Sequence, residues 1–168
     1  QSEDYQISVS IDSLQPNHFM PKDSLYWLTA SAAIKGKGFD LYSARTSSLL
    51  QATISDIKYG RNSVSEIQLN GRLKNHAYEL QLESGYPLAL LKVSVSGILQ
   101  RKKAEMNLDA QVEHLNLYRL HLVDVPLSTA FRFEANASSN LNEILHLTGR
   151  LTQWELSGEE KTYYPQDT

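Results

Sequence analysis

Residues 88–100 read L-A-L-L-K-V-S-V-S-G-I-L-Q, and their centre, Leu91-Lys92-Val93-Ser94-Val95-Ser96-Gly97, decides the fold. Apolar and polar side chains alternate there with a period of two, the pattern of a β-strand with one wet face. Leu91, Val93, Val95, Gly97 and Leu99 fall on one side. Apolar residues at helical spacing, sustained over three turns, are hard to find anywhere in the chain.

The same alternation extends outward in both directions. Toward the N-terminus, Tyr78, Leu80 and Leu82 make a shorter strand between Lys74-Asn75-His76 and Ser84-Gly85-Tyr86-Pro87. Before it lie 64–73, with Ile67, Leu69, Gly71 and Leu73 on one face, and 49–59, closed by Gly60-Arg61-Asn62. Residues 25–35 form a strand apolar on both sides, ended by Gly36-Lys37-Gly38, and Tyr5, Ile7, Val9 and Ile11 open the series. Toward the C-terminus come Met106, Leu108, Ala110 and Val112, then Leu127, Thr129, Phe131, Phe133, Ala135 and Ala137, and after Ser138-Ser139-Asn140 a strand over 144–154. Residues 158–168 are expected to fray. Two stretches break the rhythm. Pro16 and Pro21 exclude a central strand from 12–24, which reads as a loop with a helical turn. Leu115, Leu117, Leu120 and Leu122 keep no single period, so 116–125 is expected to hold a short helix or an irregular corner.

Turns of about two to six residues join antiparallel neighbours, because a parallel return needs a crossover of a dozen or more. The expected fold class is therefore all-β: one antiparallel meander of long amphipathic strands, curled like a taco around an apolar interior, with one or two short helical turns. Ten-residue strands at ~3.3 Å per residue would each span roughly 30 Å.

The 168 residues suffice for one β domain, 1–168, and the 41% hydrophobic and 21% charged content is that of an ordinary globular chain. A net charge of −3 supplies no field for a phosphate backbone, so no nucleic acid is expected, and the run Arg101-Lys102-Lys103 reads as a solvated hairpin turn. The absence of cysteine removes disulfides, thiol nucleophiles and zinc–thiolate clusters together. No apolar stretch approaches the ~20 residues that span a bilayer. Residues 1–5 do not resemble a signal peptide and lack Met, and alternation starts at Tyr5 with almost no lead-in. A segment of a longer, repetitive protein is expected.

Motifs that carry chemistry are missing, and the chain is read as no enzyme, with no cofactor and no metal. His18, His76, His114, His121 and His146 show no tight ligand pair, and the nearest constellation is His114, His121 and Asp124. No serine sits in a Gly-x-Ser-x-Gly elbow, and Lys35-Gly36-Lys37-Gly38 lacks the Gly-Lys-Ser/Thr ending of a phosphate loop. Asp56, Glu66, Glu79, Glu83, Glu105 and Asp109 mostly alternate opposite the apolar face, where they should be solvated. Asn136-Ala137-Ser138 matches a glycosylation acceptor, a pattern frequent by chance.

What remains is the apolar face, lined by Ile67, Leu69, Leu80, Leu82, Val93, Val95, Met106, Leu108, Phe131, Phe133, Leu145 and Leu147. A curved sheet with no helices over it must fill its interior or leave a groove, and a groove buries acyl chains at ~0.8 kcal/mol per methylene. Such binding needs no precisely placed polar group, so it leaves no motif. The alternative is a structural or adhesive β-sandwich module of a surface protein, with the same residues packed into a filled core.

An internal echo, spaced by about 100 residues, links 5–60 with 105–155: Ile11-Asp12-Ser13-Leu14 and a strand ending in Ala30 and Ala32, then Val112-Glu113-His114-Leu115 and a strand ending in Ala135 and Ala137. The runs VEHLNLYRLHL (112–122) and VPLSTAFRFEANASSNLNEILHLTGRL (125–151), with IQLNGRL at 67–73, resemble the recurring unit of AsmA/TamB-like bacterial envelope proteins. The resemblance covers most of 5–155. It implies a periplasmic chain anchored in the inner membrane of a Gram-negative envelope. It also implies a role in moving phospholipid between inner and outer membranes, in outer-membrane protein assembly with a barrel partner, or both. Phospholipid acyl chains or outer-membrane protein strands would then be the partners. That family offers no catalytic residues to carry over.

Overall fold

A computed structural model describes residues 3–15, 25–140, 145–158 and 162–163. All ten strands belong to one antiparallel sheet, hydrogen-bonded in sequence order. They are β1 (Asp4–Leu14), β2 (Leu25–Lys37), β3 (Ser47–Tyr59), β4 (Asn62–Lys74), β5 (Ala77–Ser84), β6 (Ala89–Gln100), β7 (Lys103–Asn116), β8 (Leu127–Ser139), β9 (Leu145–Gly158) and the two-residue β10 (Thr162–Tyr163). Each strand pairs through its backbone only with its neighbours in sequence, so the sheet is an open meander and not a closed barrel. No second sheet lies on it among the described residues, so the filled sandwich has no counterpart there.

The strands form where alternation is strict, and their short connections have the chemistry of tight turns. Asn75 and His76, between β4 and β5, both take positive φ (51° and 68°), as a two-residue type I′ hairpin loop requires. Gly60, at φ 59°, opens the equally short loop between β3 and β4.

Several expectations need correcting at the margins. Strand β1 continues through Leu14, beyond the break expected at Asp12, because a bulge between Ile11 and Leu14 absorbs the loss of alternation. The helical turn expected further along that stretch lies at 16–24, outside the described residues. Of the two alternatives for 116–125, a short helix or an irregular corner, the structure has the corner: β7 runs to Asn116 and turns follow. Leu120 N–H donates to the Asn116 carbonyl, but the next bonds run from His121 to Tyr118 and from Leu122 to Leu117, and His121 at φ 55° stops any propagation. The C-terminal segment, expected to fray, pairs with β9 where it is described, through Thr162 and Tyr163.

The same one-residue register shift occurs twice. Ile11 and Leu14 face Ala30 and Leu28, and Val112 and Leu115 face Phe131 and Thr129. Both bulges sit where a strand leaves the regular sheet for a long connection, and β2 and β8, which follow, are each 13 residues long.

Glycine matters most at 97. A Cβ there would collide with the Glu105 carbonyl of β7 and stand 2.8 Å from the Tyr78 hydroxyl. Tyr78 lies across the glycine and donates a 3.0 Å hydrogen bond to that carbonyl, tying β5 to β7 over β6. Burial pushes the Tyr78 phenol above its usual pKa. Tyr5 makes the same close approach to Gly36, its cross-strand neighbour on β2, and stacks on Phe39 with ring centroids 4.9 Å apart.

Candidate functional site

Residues directly opposite in an antiparallel ladder share a face, so the register can be followed across the sheet. Val9, Ala32, Ala52, Leu69, Leu82, Val93, Ala110, Phe133 and Leu151 form one continuous row over nine strands. A second row joins Ile7, Ile34, Leu50, Gly71, Leu80, Val95, Leu108, Ala135 and Gly149. Neither contains a polar side chain. The flanking row on one side includes Leu73, Tyr78, Met106 and Leu147, and the one on the other includes Ile54, Ile67, Leu91, Val112 and Phe131. With nine strands ~4.8 Å apart, the rows run for roughly 38 Å.

All twelve lining residues expected from the sequence lie on this face. Leu145, which pairs with Ser139, completes them. They are not equally covered: Leu145 and Leu147 on β9 are 69% and 66% exposed, whereas those on β6 to β8 are half-buried. Ile7 on β1 is 55% exposed, so both flanks of the face stand open. Among the described residues only Ala89, Val112, Leu120 and Ala135 form a buried apolar core.

The total exposed area measures how far this is from an ordinary domain. The chain exposes 12023 Å². A globular monomer of 19.0 kDa should expose about 8,400 Å². The excess agrees with described strands that all lie in a single layer.

Two polar clasps bridge the ends of the strands. At one end Arg101, in the β6–β7 turn, reaches Asp40 in the loop 38–46 with Nη2 2.6 Å from Oδ2. At the other, His121 Nδ1 of the 117–126 corner lies 3.1 Å from Asn62 Oδ1 at the start of β4. Each clasp spans turns four strand spacings apart, roughly 19 Å in a flat sheet. Loop reach and sheet curvature together close that distance. Within the loop, Thr46, itself buried, donates from Oγ1 to the Asp40 carbonyl at 2.7 Å.

The Tyr42 N–H and then Arg101 hold the Asp40 carboxyl below its usual pKa. A lowered folded pKa gives stabilisation that is present above the unfolded value and lost as pH falls through the folded one. Acidification below about pH 3.9 is therefore expected to release the first clasp. The amide resonances of Tyr42 and Thr46, followed by NMR, should titrate together in that window. In Asp40→Asn that joint titration should be gone.

The opposite face is mainly polar, with Ala33, Leu49, Ala77 and Ile98 among its apolar members. Arg132 bonds Asp109 at 2.7 Å and approaches Glu134 at 3.3 Å, and these carboxylates raise its pKa. Hollows open on this face, including one of about 470 Å³ bordered by Lys35, Gln51, Asn70, Arg72 and Glu79. Among the described residues there is no group of three or more His, Asp or Glu able to hold a metal ion.

The lining expected from the sequence begins at Ile67, whereas β1 to β3 continue both central rows through Val9, Ala32 and Ala52 and through Ile7, Ile34 and Leu50. Period-two alternation over 5–11 carried the signal for Ile7 and Val9; in β2 it was masked because both sides look apolar. No protein-family model, curated protein or solved structure matches the chain.

Proposed function

We propose that the apolar face is a lipid groove, and that the chain serves phospholipid transport between the inner and outer membranes as a periplasmic segment of an AsmA/TamB-like protein anchored in the inner membrane. The observation that carries this reading is the pair of central rows, unbroken by any polar side chain over nine strands and covered by no second layer among the described residues. A face without polar anchors holds hydrocarbon without fixing it, which suits cargo that must slide. Burying sixteen methylenes at ~0.8 kcal/mol each would exceed ~10 kcal/mol before ordering costs. The residues on β6 to β8 would contact acyl chains most closely.

A second reading, capture of outer-membrane protein strands for assembly with a barrel partner, is favoured by the edges: among the described residues β1 has one paired neighbour, and β9 has the two-residue β10 on its outer side. The two readings separate by where cargo sits. A photoreactive side chain at Val95 or Phe133 should crosslink to acyl chains, and one at Ser94 or Asn136, on the polar face, should not. Phospholipid should also accompany the purified chain in mass spectra. Equal labelling of both faces with no lipid recovered would sink the groove.

A further inference from the structure

We infer that the polar face carries a separate anion site at the Ser47 end of β2 to β4, formed by Lys35, Arg72 and Lys74 and suited to a phosphate monoester. Three neighbouring hollows meet at these residues: Arg72 borders all three, and Lys35 and Lys74 border two each. None of the three cations makes an ion pair or hydrogen bond among the described residues. Register explains why. Lys35 lies between Gln6 and Leu49, and Lys74 lies between Ser47 and Ala77, so neither has a carboxylate across the ladder. Other unpaired cations of this face do, since Lys92 stands opposite Glu83 and Arg150 opposite Glu134. Two acids border these hollows: Glu79, opposite Arg72, accepts a 2.9 Å hydrogen bond from Gln81 Nε2, and Glu105 is paired with Lys103 at 2.7 Å. Lys37, beside the cluster, is already within 4.0 Å of Asp4.

The site therefore concentrates positive charge that the fold itself does not neutralise. Its geometry also says something of the ligand. Lys35 and Arg72 flank Leu49 in one cross-strand row, two spacings apart, roughly 10 Å between backbones, and their long side chains can converge on a phosphoryl group. Leu49, 44% exposed, offers an apolar floor for the carbon part of the ligand. A dianionic monoester on a glycerol or sugar fits, from a soluble metabolite or from a lipid headgroup such as phosphatidic acid.

The test adds glycerol 1-phosphate, or vesicles of phosphatidylcholine alone, with phosphatidic acid or with phosphatidylserine, to the intact chain. Glycerol 1-phosphate should shift the amide resonances of Ser47, Leu49 and Arg72 saturably. In K35Q/R72Q the affinity should fall by about tenfold or more, while K92Q, on the same face, should bind as the parent does. If only phosphatidic acid vesicles bind and K35Q/R72Q abolishes that binding, the phosphate comes from a membrane and the site stands. If neither probe binds, if K92Q weakens binding as much, or if phosphatidylserine vesicles bind equally well, the site is overturned. The groove reading survives that failure, because its contacts lie on the opposite face.

Discussion

Val95→Asp is expected to abolish acyl-chain binding while leaving a β-sheet in place. Val95 sits in the middle of a central row, between Leu80 on β5 and Leu108 on β7. A carboxylate there would have to be stripped of water beneath bound hydrocarbon with no partner to receive it. The penalty of burying a polar group unpaired, at least 2–3 kcal/mol, corresponds to roughly a 100-fold loss of affinity, and a charge costs more. Ser94→Asp, one residue away on the polar face, should change binding little. Because Val95 is half-buried, its replacement also weakens the sheet, so Leu147→Asp provides the check. Leu147 is on the same face but largely exposed on β9, where a charge costs the fold little and still interrupts the lining. Displacement of a fluorescent fatty acid measures both variants. Unchanged affinity in the two would mean that the rows are not the binding surface.

Gly97→Val should be the most damaging single change to stability among the positions described. Its new side chain would occupy the space of the Glu105 carbonyl and of the Tyr78 hydroxyl, so either β6 and β7 separate or Tyr78 swings away. Overpacking against backbone and the loss of a cross-strand bond together suggest about 3–4 kcal/mol. That is a large share of the 5–15 kcal/mol typical of a whole domain. Tyr78→Phe removes only the 3.0 Å hydrogen bond and should cost about 1 kcal/mol. Urea denaturation separates the two cases. If both variants lowered the midpoint equally, the close approach at Gly97 would not be limiting.

Strand identity was legible because alternation encodes the face directly: Val93 and Val95 point one way, Lys92 and Ser94 the other. The open meander followed from loops too short for crossovers. What escaped was everything set by pairing rather than by local pattern. The bulge between Ala130 and Arg132, with Gln153 at φ 51° opposite, realigns the far end of β9 so that Trp154 Nε1 donates to Thr129 Oγ1 at 3.2 Å. Nothing in residues 150–158 alone announces it. Leu115, Leu117, Leu120 and Leu122 lost their period because a bulge is followed at once by a turn, and that irregularity was also compatible with a helix. The clasps were invisible for another reason. Asp40 and Arg101 are 61 residues apart, and only the stacking order of the strands brings their turns to one end. The cluster of Lys35, Arg72 and Lys74 likewise needs the ladder to become a neighbourhood.

A sheet in which each strand pairs only with the strands before and after it also constrains how the chain acquires its shape. Every backbone ladder between strands can form by zipping one strand onto its predecessor, so no distant segments need to find each other first. Assembly can begin at whichever hairpin closes soonest, with the tight loop at Asn75 and His76 a natural starting point. Cooperativity is then passed from neighbour to neighbour, as in repeat proteins, rather than enforced by a shared centre. Amide hydrogen exchange should accordingly be slowest in β6 and β7 and grow faster toward β1 and β9, so that the molecule loosens from its margins inward.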